Sequence, residues 1–141
     1  MIRAIMFDLD GTLYRAETSF VPAVREAFAA RGLRAPDTND VTRLIGQPHA
    51  SFESWLREHA DPEVAASLAD EIDVRERHNI DHLGRLFEGA RKALEDIARI
   101  AESLLVCSNG DLRYVEHVPV SLHLRALFHD VRARRPGDGT K

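Results

Sequence analysis

The chain is poor in the residues that would place it in several large classes of protein. It holds a single cysteine, Cys107, so no internal disulfide can form, and no Cys/His spacing resembles a zinc site. No stretch approaches the ~20 apolar residues of a membrane span. The start, MIRAIMFDLDG, has a short apolar run, but acidic residues follow at once. A signal peptide needs a longer apolar stretch and a small-residue cleavage site. Basic residues are not in excess: 19 Lys and Arg against 23 Asp and Glu leave a formal charge of -4. That balance argues against a general nucleic-acid surface, which draws on clustered positive charge. Internal repeats and low-complexity segments are missing as well. What is present, 44% hydrophobic and 30% charged residues in a chain of 141, suits one compact domain or one core with a modest insertion. A soluble, cytoplasmic protein is expected, with neither nucleic acid nor membrane as a partner.

Residues 2–7, IRAIMF, are apolar apart from Arg3 and stop at Asp8-Leu9-Asp10-Gly11, as a short strand buried on both faces does. A second such run is Ser103 to Cys107, stopped by Ser108-Asn109-Gly110, and a weaker third covers Phe128 to Val131. Between the first two the pattern is helical. Val21 to Arg31 is amphipathic and Gly32 is a good C-terminal stop. Val41, Leu44 and Ile45 suggest a short helix ending at Gly46, and Phe52, Trp55 and Leu56 form another apolar stripe. Asp61-Pro62 pairs a capping residue with a first-turn proline and opens a long helix through about His82. A last helix, roughly Glu88 to Ala101, leads into the second strand. Strands alternating with helices imply an α/β fold with a parallel sheet. The helices between residues 16 and 85 are too many for one crossover and are expected to form an inserted helical cap. Residues 1–15 and 86–141 would then form the Rossmann-like core.

The segment richest in chemistry is Phe7-Asp8-Leu9-Asp10-Gly11-Thr12-Leu13-Tyr14. Side chains alternate along a strand, so two aspartates two apart fall on one side at its carboxyl end. Ligands of open α/β sheets bind beyond that end. Close carboxylates repel, so their pKa values separate or a cation sits between them. One can then serve as an anionic nucleophile while the other shuttles a proton. Gly11 permits a sharp turn and Thr12 adds a hydroxyl donor. An ordinary strand ending in an Asp-Gly turn is the plainer alternative.

The segment DLDGTLY resembles the first motif of the haloacid dehalogenase superfamily, and Leu104 to Gly110 resembles its second, an apolar strand ending in Ser or Thr. Leu86 to Leu94 is similar to the helix that precedes that second motif, and Lys141 is the best candidate for the third, a basic residue. The resemblance implies a Rossmann-like core and a magnesium-dependent phosphatase acting on a small phosphorylated metabolite. Asp8 would form an aspartyl-phosphate and ligate the metal. Asp10 would be the general acid/base, with its backbone carbonyl on the metal. Thr12, Ser108, Asn109 and Lys141 would hold the phosphoryl group. An acid at position 10 favours phosphatases over the dehalogenases of the family, and cap position favours its phosphoglycolate-phosphatase-like group. A phosphomutase of the β-phosphoglucomutase type, or a non-catalytic fragment of the fold, are the alternatives.

The family's fourth motif, with further acidic metal ligands, is not present before Lys141. The core sheet is therefore expected to be incomplete and the strand 2–7 to expose an unpaired edge that promotes association. The chain reads as a truncated form of a longer enzyme whose activity on its own is impaired. In the cap, Gln47 and His49 flank a helix break and are candidates for substrate specificity, with a plain turn as the alternative. His78 and His82 share a helix face that reads as solvated. Arg132 to Arg135 is either an anion-attracting cluster or an exposed loop.

Overall fold

The computed structural model describes residues 2–133. The chain divides into two compact units, Met1–Arg15 with Arg85–Lys141, and Ala16–Gly84.

The first unit is built on a three-stranded sheet of order β1-β2-β3, with β1 at Ile2–Phe7, β2 at Ala101–Ser108 and β3 at Asp130–Ala133. Both pairings are parallel, with Ile2 opposite Ala101, Phe7 opposite Val106 and Ser108 opposite Ala133. Parallel neighbours need crossovers, and a helix leads into each of the two later strands. The expected α/β class is thus the observed one. Leu104 and Val106 of β2 are fully buried, as are Leu94, Val115, Val118 and Leu124. β1 differs from the expectation of a strand buried on both faces: Ile2 is 48% and Met6 60% exposed. Ile2, Ala4 and Met6 alternate onto one face of the sheet, and all three are exposed, so that face of β1 is left uncovered by the described residues. β1 pairs with β2 alone among the described residues.

Two boundaries also shift. The helix before β2, α5 at Ala90–Ile97, stops short of the expected end, and Ala98 to Ile100 turn the chain so that Ala101 already pairs with Ile2. The third strand starts at Asp130 rather than Phe128. Phe128 spends its carbonyl on the Arg125 guanidinium (2.8 Å) and buries its ring edge-on to Phe7, so it enters the core before the ladder begins.

The second unit is helical: α1 at Glu17–Ala30, α2 at Thr38–Thr42, α3 at His49–His59 and α4 at Pro62–Leu83. Val21, Val24 and Phe28 recur at helical spacing on α1 and meet Ala65, Leu68 and Ile72 of α4 in one core. Phe52 and Trp55 pack against it, with Trp55 5.9 Å from the Phe28 ring centroid. α1 stops in a Schellman motif: Leu33 N–H donates to the Phe28 carbonyl (2.9 Å) and Gly32 N–H to that of Ala29 (3.0 Å). Gly32 takes φ 67°, a conformation glycine adopts without penalty. At α4 the expected cap is met only in part. Pro62 occupies the first turn, but the Asp61 side chain makes no capping bond and only its carbonyl accepts, from Val64 and Ala65 N–H.

Arg31, the C-cap of α1, reaches across to α4, donating to the Glu71 carboxylate (2.9 Å) and the Ser67 hydroxyl (2.8 Å). Arg75 grips the same carboxylate from α4 (2.8 Å). Hydrogen bonds from Arg31 and then Arg75 hold the Glu71 carboxyl below its ordinary value of 4.5. A carboxyl depressed in the folded state contributes stability above its unfolded pKa and loses it as pH falls through the folded one. Glu71→Gln is therefore expected to lower the urea midpoint near neutral pH, with the gap to the parent closing as acid takes the pH below 4.5. A gap of constant size across that range overturns the assignment.

Candidate active site

The site grows from the carboxyl end of the sheet. Because β1 and β2 run parallel and in register, the residues just after Phe7 and those ending at Ser108 emerge side by side, although one hundred positions separate Asp8 from Ser108. Beyond β1 the chain folds into a compact turn. The N–H groups of Thr12, Leu13 and Tyr14 all point to the Leu9 carbonyl (3.3, 3.0 and 2.9 Å), and Gly11 N–H donates to the Tyr14 carbonyl (2.9 Å). Gly11 sits at φ 76°, so a side chain there would strain the turn. Leu9 and Tyr14, both completely buried, anchor the turn from below.

The same turn joins the two crossing strands of chain. Arg15 N–H donates to the Arg85 carbonyl (2.9 Å) and Phe87 N–H to the Leu13 carbonyl (3.1 Å), with Tyr14 bridged antiparallel to Leu86. The point where the chain leaves the sheet unit is thereby tied to the point where it returns.

The two carboxylates occupy different surroundings. Asp8 is exposed, and the Thr12 hydroxyl donates to it at 3.4 Å. Asp10 is partly buried and receives two hydroxyl donors, Ser108 Oγ on Oδ2 (3.1 Å) and Tyr114 Oη on Oδ1 (2.5 Å). Ser108 is itself buried, and its oxygen accepts from Gly110 N–H (3.1 Å).

Tyr114 was not singled out in the sequence. It stands in the first turn of α6, Leu112–Ser121, whose N-cap Asp111 accepts from Tyr114 N–H (2.9 Å). The signal was legible in principle. A strand ending in Ser-Asn-Gly, followed by an aspartate cap, starts a helix at the sheet's rim, and the third residue of that helix falls beside the cap.

Of the sequence candidates, Asp8, Asp10, Thr12, Ser108 and Asn109 all lie in the sheet unit, and hydrogen bonds join Asp8 to Thr12 and Asp10 to Ser108. Lys141 lies outside the described residues. Gln47 and His49 belong to the helical unit, Gln47 in the turn between α2 and α3 and His49 at the first position of α3. Both are exposed, and His49 lies 3.4 Å from the Glu53 carboxylate one helical turn on.

A magnesium ion would take hard oxygen donors in near-octahedral geometry and retain several waters. The Asp8 carboxylate and Asp10 main-chain carbonyl are donors of that kind, so the residues suit such an ion. No group of three or more His, Cys, Asp or Glu side chains converges among the described residues.

Two carboxylates in unlike surroundings thus stand with a serine at the carboxyl ends of adjacent parallel strands of a Rossmann-like α/β sheet. A family model for haloacid dehalogenase-like hydrolases matches residues 2–139, and the chain belongs to that family. It is 31% identical over 126 residues to the N-acetylmuramic acid 6-phosphate phosphatase of Pseudomonas putida, covering 87% of this chain and 56% of that protein. It is 29% identical over 108 residues to the phosphoglycolate phosphatase of Agrobacterium fabrum, covering 74% of this chain and 46% of that protein. The chain thus spans about half the length of the curated relatives it matches. Its fold superposes on a haloacid dehalogenase-like hydrolase from Streptococcus pneumoniae with a TM-score of 0.82 at 21% identity, covering 96% of this chain and 62% of that one.

The N-cap can be tested directly. Asp111→Ala removes the acceptor for Tyr114 N–H and is expected to destabilise the protein by about 1 kcal/mol in urea or thermal unfolding. An unchanged midpoint overturns the capping role.

Proposed function

We propose that this chain carries the nucleophile of a phosphatase that hydrolyses a small phosphorylated metabolite through an aspartyl-phosphate on Asp8. The observation that supports it best is the unlike treatment of the two carboxylates. Asp8 is open to solvent, whereas Asp10 is held by two hydroxyl donors, one ending the neighbouring strand and one in the first turn of α6. Membership of the hydrolase family and likeness to two curated phosphatases point the same way. Those relatives are named for N-acetylmuramic acid 6-phosphate and phosphoglycolate, each the phosphate ester of a small molecule.

In the first step an Asp8 oxygen attacks phosphorus as the bond to the ester oxygen breaks. Asp10, protonated, gives its proton to the departing oxygen. In the second step water attacks the same phosphorus, Asp10 takes the water's proton, and the bond from Asp8 to phosphorus breaks to release phosphate. Hydroxyls of Thr12 and Ser108, the Asn109 side chain and the Lys141 ammonium hold the phosphoryl oxygens in this reading. Ser108 would turn its hydroxyl from Asp10 to the substrate as it binds. Asp8 and the Asp10 carbonyl would hold magnesium, which when bound neutralises charge on the transferring group. Residues 16–84 act as the cap, with Gln47 and His49 contributing to substrate choice.

Asp8→Asn is expected to lower kcat on a phosphate monoester by roughly 10³-fold or more, since a neutral amide cannot take up the phosphoryl group. Chelation with EDTA should remove activity and added magnesium restore it. Release of inorganic phosphate, measured beside the organic product, separates hydrolysis from a mutase, which would keep phosphate on its substrate. A variant at position 8 that hydrolyses esters at the parental rate overturns the proposal.

A further inference from the structure

We infer that Tyr114 is a positioning residue for Asp10, fixing the carboxyl group that transfers protons in the reaction proposed above, on which this inference rests. Tyr114 Oη donates to Asp10 Oδ1 at 2.5 Å, while Ser108 Oγ holds Oδ2 at 3.1 Å. An aspartate side chain turns about two torsions, and one donor leaves it free to swing about that contact. Two donors on different oxygens, reaching from the end of β2 and the start of α6, fix both its plane and its direction. If Ser108 turns to a bound phosphoryl group, Tyr114 is the hydroxyl that continues to hold Asp10.

The surroundings of Tyr114 are arranged to keep it there. Its N–H is held by the Asp111 carboxylate at 2.9 Å, which sets the first turn of α6. Its ring crosses the backbone of Gly110 so closely that a Cβ at position 110 would meet Tyr114 Cδ1 at 2.7 Å and Val115 Cγ2 at 3.2 Å. Contacts at 2.7 Å are below anything carbon atoms tolerate, so any larger residue at 110 would displace the ring. Gly110 N–H, in turn, donates to Ser108 Oγ at 3.1 Å. Serine, glycine, aspartate and tyrosine at 108, 110, 111 and 114 thus form one assembly whose outward product is the placement of the Asp10 carboxyl. Positioning matters because proton transfer demands hydrogen-bond reach and alignment to the atom that receives the proton.

A group that positions the acid should matter in proportion to how much the leaving oxygen needs its proton. p-Nitrophenolate departs with little help, whereas an alkoxide requires protonation. In the natural chain at its full length, Tyr114→Phe is expected to lower kcat/KM for an alkyl phosphate by about 10- to 100-fold and for p-nitrophenyl phosphate by less than about 3-fold. Gly110→Ala, which retains the hydroxyl but displaces the ring, should show the same split. Asp10→Asn, run alongside, should show it in larger measure. Independently of activity, the ¹³C resonance of the Asp10 carboxyl, assigned through Asp10→Asn, should shift in Tyr114→Phe. Equal losses on both esters for Tyr114→Phe, no loss on either, or an unmoved resonance overturns the role of Tyr114. If Asp10→Asn itself loses equally on both esters, the proton-transfer reading of Asp10 fails, and the inference about Tyr114 fails with it.

Discussion

The parallel pairing of β1 with β2 is the constraint on which the rest of the sheet unit depends. A backbone ladder from Ile2 with Ala101 to Phe7 with Val106 sets the two carboxyl ends level. Backbone groups of the two strands pair across that ladder, and breaking the register would leave polar groups stranded beside the buried Leu104 and Val106. Slippage by one residue would turn every side chain of the strand to the other face. Once the register is set, the turn from Leu9 to Tyr14 and the segment from Ser108 to Asp111 can only be neighbours. The hydroxyl contacts on Asp10 follow from that.

The turn after β1 has a second duty. Its far end is stitched to the returning chain by Arg15 with Arg85 and Leu13 with Phe87, at 2.9 and 3.1 Å. A helical insertion of almost seventy residues, Ala16–Gly84, can therefore be carried by a sheet whose own ladder is undisturbed. The insertion supplies its own core, with α1 and α4 facing each other through Val24, Phe28, Leu68 and Ile72. Closing a loop of such length is entropically tolerable because the cost grows only with the logarithm of its length.

Asp8 and Asp10 show how two identical side chains are made unlike. They sit two positions apart, yet one is exposed beside a long Thr12 contact and the other is partly buried under two hydroxyls. The difference comes from what stands opposite each of them. Donors near a carboxyl group select its orientation, and those that meet Asp10 come from a different strand and helix.

Much of this was legible in the chain itself. Apolar runs stopped by Asp-Leu-Asp-Gly and Ser-Asn-Gly marked the first two strands, and helical spacing between them marked the insertion, because these patterns are local and repeat with the period of the element. Gly32 as the stop of α1 and Pro62 in the first turn of α4 were legible for the same reason. The ends were less so. Whether Ala101 closes a helix or opens a strand depends on Ile2 being opposite it, and Phe128 leaves the ladder because Arg125 and Phe7 claim its carbonyl and ring. Nor did an apolar IRAIMF reveal that Ile2 and Met6 would stand exposed, since that turns on what packs against each face of β1.

The amino-acid order alone determined the class of fold, the two carboxylates of the DLDGT turn and the serine that ends β2, because each is written in a short window of adjacent residues. Only the tertiary structure decided that Ser108 and Tyr114 meet Asp10, which they do from 98 and 104 positions away. The physical reason is range. Hydrophobic period and turn chemistry act over a few residues, whereas a hydrogen bond between distant side chains exists only after strands have paired and a helix has been capped beside them.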